Sequence, residues 1–199
     1  MALALVKPAP SGHALVIGGS GMLRWACTRL ASRGAIVTVI ARDRGRLDAL
    51  AAETAGMPGR IVPLSCDYEN PERLMGAIDG AARELGRPDP TIAWMRRDAR
   101  ESLHAAARTL DGGPGVSRLV HVLPSAARSP VVRKRFRDEF APYPGLRYRQ
   151  VVLGFMIDDG VSRWLTDTEI SDGVLLSLEH HDDQFIVGRI HPWSERPGA

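Results

Sequence analysis

Residues 14–24, Ala-Leu-Val-Ile-Gly-Gly-Ser-Gly-Met-Leu-Arg, constrain the fold of this chain more than any other stretch. A short apolar run, Ala14 to Ile17, stops at a glycine cluster and passes into a helix-compatible segment ending near Arg33. A strand, a glycine turn and a helix in that order form a phosphate-binding unit. Glycine lets the backbone turn tightly and approach a pyrophosphate, and the helix that follows offers unpaired N–H groups and a positive dipole end. Gly18, Gly19, Ser20, Gly21, Met22 and Leu23 are therefore candidates to cradle a dinucleotide. Gly18 and Gly21 keep a G-x-x-G spacing. Arg24 stands where such fingerprints place a third small residue, so the match is partial.

The rest of the chain repeats the alternation. Apolar runs at 35–40, 60–64, 91–95, 118–123, 148–155 and 185–190 read as further strands. Helical stretches separate them at about 46–54, 70–85, 100–110, 130–140 and 166–179. Asn70-Pro71 is a helix start with an Asn cap and proline in the first turn. Thr166-Asp167-Thr168-Glu169 is a capping box. This pattern predicts one α/β domain over residues 1–199, a doubly wound parallel sheet (Rossmann fold) of about seven strands. With right-handed crossovers the order is 3-2-1-4-5-6-7, and its reversal point lies between strands 1 and 4. Ligands bind there, at the carboxyl ends of the strands. The segments meeting at that edge are 18–22, 42–44, 67–68, 94–97, 124–126 and 154–158.

Composition narrows the class. A net charge of +3 is too small to argue for nucleic acid, and Arg supplies nearly all the basic residues, with Lys only at 7 and 134. Cys27 and Cys66 form no C-x-x-C pair or disulfide framework, which fits a reducing compartment. No apolar run approaches membrane-spanning length, and the first residues do not read as a signal peptide. A cytoplasmic location without membrane or nucleic-acid partners is the expectation.

Ile17-Gly-Gly-Ser-Gly-Met-Leu, Ile40-Ala-Arg-Asp-Arg and Cys66-Asp67 resemble the short-chain dehydrogenase/reductase superfamily. The endings Gln150-Val-Val-Leu-Gly-Phe, Ser162-Arg-Trp-Leu-Thr and Pro192-Trp-Ser-Glu-Arg-Pro resemble small, atypical bacterial members. The resemblance implies a nicotinamide dinucleotide, and Arg42 bears on which one. An acidic residue at the end of the second strand would accept hydrogen bonds from a ribose, whereas Arg42, with Arg44 beside it, suits the 2′-phosphate of NADP. NADP(H) is preferred and NAD(H) remains open, as does an Arg-rich solvated loop. Asp43 can cap the next helix. Asp67 resembles the aspartate that receives the adenine amino group, with helix capping as the alternative.

The reaction centre departs from the family. Ser125 matches the family serine after the fifth strand. The following helix, Val131-Val-Arg-Lys-Arg-Phe-Arg-Asp-Glu-Phe, lacks the tyrosine that should stand four residues before a lysine, and Pro130 precedes Lys134 at that spacing. Tyr143 is followed by Pro144 and Gly145, which break a helix, so it reads as a loop anchor. His121 reads as a hydrogen-bonded strand histidine or an acid–base group. Trp94 reads as packing or a pocket wall. Asp158 and Asp159 face a pocket or shape a turn before Gly160. His180-His181-Asp182-Asp183 reads as a loop and not a metal site, and residues 133–137 read as a solvated basic helix face.

These readings point to an NADPH-dependent oxidoreductase acting on a small carbonyl or imine, with Ser125 or a water assisting at the heteroatom. The alternative is a non-catalytic NADP-binding sensor or partner protein. The resemblance also implies a homodimer or homotetramer and, with no substrate-loop insertion after the sixth strand, an open pocket.

Overall fold

A run of β-branched and aliphatic residues buried on both faces makes a strand of a parallel sheet, because helices must cover both sides. Five such strands run side by side near the middle: β1 (His13–Ile17), β2 (Ile36–Ala41), β4 (Thr91–Ala93), β5 (Ser117–Leu123) and β6 (Leu146–Leu153). With β3 (Arg60–Ser65) and β9 (Gln184–Val187) at the edges, they form one seven-stranded parallel sheet of order β3-β2-β1-β4-β5-β6-β9. The computed structural model describes residues 12–96, 98–113 and 115–198. Arg97, the amino-terminal segment with Lys7, and Pro114 therefore lie outside the described residues. Pro63 belongs to the edge strand β3, where a missing N–H is tolerated.

Side-chain alternation divides the core. Val16, Val39, Val122 and Val151 face α1 (Arg24–Ser32), α2 (Arg44–Glu53) and α6 (Asp167–Glu179). Leu15, Ile17 and Leu119 face α3 (Pro71–Leu85), α4 (Arg100–Asp111) and α5 (Pro130–Phe140). The predicted caps form: Asn70 accepts from the Arg73 N–H at 3.0 Å, and Thr166 and Glu169 make a reciprocal capping box.

Two features differ from the expectation. The sixth strand stops at Leu153, and residues 155–164 make an antiparallel hairpin, β7 (Phe155–Asp158) and β8 (Val161–Trp164). Gly154 marks the break, because a Cβ there would overlap the Arg189 carbonyl, and Phe155 and Arg189 exchange backbone hydrogen bonds at 2.9 and 2.8 Å. The second difference is one of hand. The steps from β4 to β5 to β6 carry α4 and α5 on one face, whereas the step from β6 to β9, in the same direction, carries α6 on the other. That last crossover is left-handed, against the usual rule. The hairpin lengthens the connection, and α6 then packs on α1 and on β9, where Gly173 leaves room for Val187.

Candidate functional site

The glycine turn lies at the switch point between β1 and β4. Gly18 has φ +80°, its N–H donates to the Ile40 carbonyl at 2.9 Å, and a Cβ would overlap the Trp94 carbonyl oxygen. Gly19 is enclosed just as tightly, with Val16, Cys27 and Val39 2.8–2.9 Å from where its Cβ would be. Gly21 is the opposite case. It is exposed, with nothing within 4 Å of a Cβ position, so its backbone is open to a ligand. Ser20 and Met22 are half-buried, and Leu23 is a fully buried core residue that a ligand could meet only through its backbone.

Helix α1 begins at Arg24, whose N–H donates to the Gly21 carbonyl at 2.9 Å, and no side chain caps the N–H groups that follow it in the first turn. The Arg24 guanidinium turns away from the turn to pair with Glu53 at the end of α2, which accounts for its place in the fingerprint. Ser171 of α6 is a residue that sequence reasoning missed. Its hydroxyl donates to the Met22 carbonyl at 3.1 Å and pins the turn from the helix packed beside α1.

At the ends of β2 and β3 a cleft of about 470 Å³ is lined by Arg42, Ser65, Cys66, Asp67 and Arg73, among others. Arg42 is half-exposed and stands 3.7 Å from Glu69, whose carboxylate also lies 3.4 Å from Arg96. Contacts in this region answer the two helix-capping readings. Asp43 caps α2 by accepting from the Arg46 N–H at 3.0 Å. Asp67 does not cap α3: its carboxylate accepts from the Glu69 N–H at 3.1 Å, and Asn70 is the cap. Arg44 points along α2 to Asp48 at 2.9 Å, away from the cleft lining. Burial pushes the Cys66 thiol up, with Asp67 adding to it, and Cys27 is pushed up to about 12 by complete burial.

At the ends of β4 and β5, Ser125 opens a short 3-10 turn, Ser125–Arg128, and is half-buried. Lys134 is spent on Asp138 at 2.7 Å on the exposed side of α5. The Tyr143 hydroxyl lies 3.0 Å from His104 Nδ1, on the α4 side of the loop. His121 is buried with its Nδ1 2.8 Å from the Tyr148 hydroxyl, and burial drives its pKa down to about 3 while raising that of Tyr148. Strand parity is the signal that could have paired them, because Leu119 is opposite Tyr148 and His121 lies two residues on, on the same face.

Contacts place three other segments. Asp158 pairs with Arg163 at 2.5 Å, and Asp159 and Gly160 have φ +49° and +79°, so they make the hairpin turn and not a pocket wall. The basic run at 133–137 is not uniformly solvated: Arg133 is buried, donating to Gln184 Oε1 at 2.9 Å and to the Arg128 carbonyl. In the 180–183 loop, Arg149 donates to the His180 and Asp182 carbonyls. Among the described residues no His, Cys, Asp or Glu side chains gather as metal ligands would.

No family model matches the chain. It is 42% identical over 95 residues to dehydrogenase/reductase SDR family member 11 of Bos taurus and of Homo sapiens. That match covers 40% of this chain and 37% of the bovine protein, so the chain spans little more than a third of the relative's length. Among solved structures it is similar to an NAD⁺-bound xylitol dehydrogenase (TM-score 0.71, 15% identity, 92% of this chain and 99% of that one). Carveol dehydrogenase from Mycobacterium avium in complex with NAD matches at TM-score 0.71 and 15% identity, over 92% and 98% of the two chains. A metagenomic short-chain oxidoreductase in complex with NADP matches at 0.65 and 20%, over 90% and 95%. The fold is therefore that of the short-chain dehydrogenase/reductases. No helix among the described residues is long and apolar enough to cross a membrane.

Proposed function

We propose that this chain is a short-chain-type oxidoreductase that binds NADP(H) and reduces a small carbonyl or imine. The observation that carries the proposal is the turn at residues 18–21, sealed against side chains at Gly18 and Gly19 and bare at Gly21, beside an uncapped helix start. That is a cradle for a diphosphate. The residues present fit the dinucleotide. The backbone of Gly18–Leu23 would hold the diphosphate, Asp67 would accept from the adenine, and Arg42 would pair with a 2′-phosphate, with Arg44 in the outer field. When bound, the cofactor supplies or accepts the hydride.

The chain's own part at the reacting end is small. Ser125 would donate a hydrogen bond to the substrate heteroatom, and Trp94 would wall the site. With Lys134 facing Asp138 and Tyr143 facing His104, no phenol–lysine relay stands beside Ser125 among the described residues. An imine needs less acid assistance than a ketone, which favours it as substrate. The same observation supports the second reading, a dinucleotide-binding protein without turnover. Exposed Ile186 on the open edge strand β9 and Leu176 on α6 support a homodimer or homotetramer across that edge, which light scattering would test.

Calorimetry with NADPH and NADH, followed by loss of NADPH absorbance over a panel of carbonyls and imines, tests the proposal. NADPH should bind more tightly, and Arg42→Gln should cost it about 1.5–3 kcal/mol, the worth of a charge-assisted hydrogen bond, while leaving NADH unchanged. Binding without turnover would select the second reading. No binding of either nucleotide would overturn both.

A further inference from the structure

A second cavity, of about 520 Å³, lies between α4 and α5 beneath the ends of β4 and β5. That is the size of a small-molecule site. Trp94, Leu103, Leu123, Phe136 and Phe140 give it apolar walls. His121 lines it and is 7% exposed. Tyr148 occupies its Nδ1, and Nε2 has no protein partner among the described residues. A ring nitrogen without a protein partner, on a side chain that lines an apolar cavity, is a hydrogen-bonding point for something that enters it. Burial keeps the imidazole neutral, so this point is polar without being charged.

The lining also carries three guanidiniums, Arg96, Arg100 and Arg135, against one carboxylate, Glu139. Glu139 is 14% exposed and lies 2.7 Å from Arg100 and 3.0 Å from Arg135. It fixes the two arginines side by side, while both remain more than half-exposed and keep N–H donors to spare. An apolar chamber with a neutral polar point and a cationic mouth fits an organic anion, with its carboxylate on the guanidiniums and its hydrocarbon body among the aromatic rings.

We propose that the α4–α5 cavity binds a carboxylate with an aromatic or branched aliphatic body, anchored by Arg100 and Arg135 and touched by His121 Nε2. Binding of the anion stands on the cavity alone. Its identification with the substrate class, an apolar carbonyl or imine compound bearing a carboxylate, rests on the cofactor reading above.

The test titrates 2-naphthoate, and its neutral counterpart 2-naphthamide, into the full chain by calorimetry, with NADPH titrated separately. Saturable naphthoate binding is expected, at least tenfold tighter than the amide. It should weaken at least tenfold in Val132→Trp, which fills the cavity from a partly exposed lining position, and in Arg135→Gln, an exposed change that leaves the core intact. Equal binding of acid and amide, indifference to both variants, or no saturation by 10 mM would overturn the proposal. Naphthoate binding without NADPH binding sustains the site and removes the cofactor reading. NADPH binding without naphthoate binding does the reverse.

Discussion

The two ends of the carboxyl edge of this sheet are built differently. Around β1, β2 and β3 the backbone itself is the site: Gly18 and Gly19 admit no side chain, Gly21 is bare, and Asp43 and Asn70 cap the helices on either side of the cleft. Around β4 and β5 side chains make the site, with His121 on Tyr148, Glu139 between two arginines, and a cavity behind them. A backbone cradle tolerates one geometry and recognises what many molecules share, a diphosphate. A side-chain cavity can be rebuilt residue by residue. The difference teaches that, under the proposed function, cofactor and substrate recognition are separable, and variants at the two ends should separate them.

The largest effect is expected at Gly18. Replacement by Val forces a β-branched residue into φ +80° and drives its Cβ into the Trp94 carbonyl. Strain and overpacking together should cost about 3–5 kcal/mol of stability, read as a shifted denaturant midpoint, and NADPH binding should be lost with it. Wild-type stability in this variant would show that the turn is looser than described. Gly21→Asp separates folding from binding. With open space around it, the variant should melt within about 2 °C of wild type, a shift worth less than 1 kcal/mol. A carboxylate facing a diphosphate should lower NADPH affinity by about 2–3 kcal/mol, because like charges in contact repel. Unchanged affinity would remove the phosphate from this turn.

At the other end, His121 supplies a pH signature. Its folded pKa, about 3, lies below the ordinary 6.5, so the unfolded chain takes up a proton as pH falls below 6.5 while the folded chain does not. The stability associated with the neutral ring is complete above pH 6.5 and is lost as pH drops toward 3. The slope is at most about 1.4 kcal/mol per pH unit. His121→Leu should therefore flatten the fall of stability between pH 6.5 and 4.5 by about 2 kcal/mol. Parallel acid profiles of variant and wild type would mean the ring titrates normally.

What was legible in the sequence follows the same division. Strand order and the glycine turn could be read because they depend on local pattern: apolar runs, turn glycines and capping residues that act within four positions. Arg133 looked like part of a solvated run because nothing near it announces Gln184, 51 residues on, which takes its guanidinium. Gly154 looked like a strand residue because the reason for glycine there is the Arg189 backbone, which arrives only after α6. Asp159-Gly160 between apolar neighbours was a hairpin signal in plain view; the apolar run through Phe155 masked it. The left-handed last crossover has no local signature. The α4–α5 cavity is a space between elements, and a sequence does not write spaces.

The smallest expected effect tests whether the hairpin belongs to either end. Glu169 closes the Thr166 capping box, accepting from the Thr166 N–H at 2.8 Å, and also receives Arg163 of β8 at 2.7 Å. The Arg163 guanidinium, with the two Thr166 hydrogen bonds, holds its carboxyl down to about 2. Glu169→Ala removes one cap and one hairpin tie, and should cost about 1 kcal/mol at neutral pH. Since the folded pKa is lowered, that contribution is present above the ordinary carboxylate range and is lost as pH falls toward 2, so wild type and variant should converge in acid. Because α6 also pins Met22 through Ser171, a loosened α6 could reach the cradle. NADPH affinity unchanged in Glu169→Ala would place the hairpin and the first turn of α6 outside the cofactor end. A tenfold loss would show that the two ends are coupled through this helix and that the division drawn between them is too sharp.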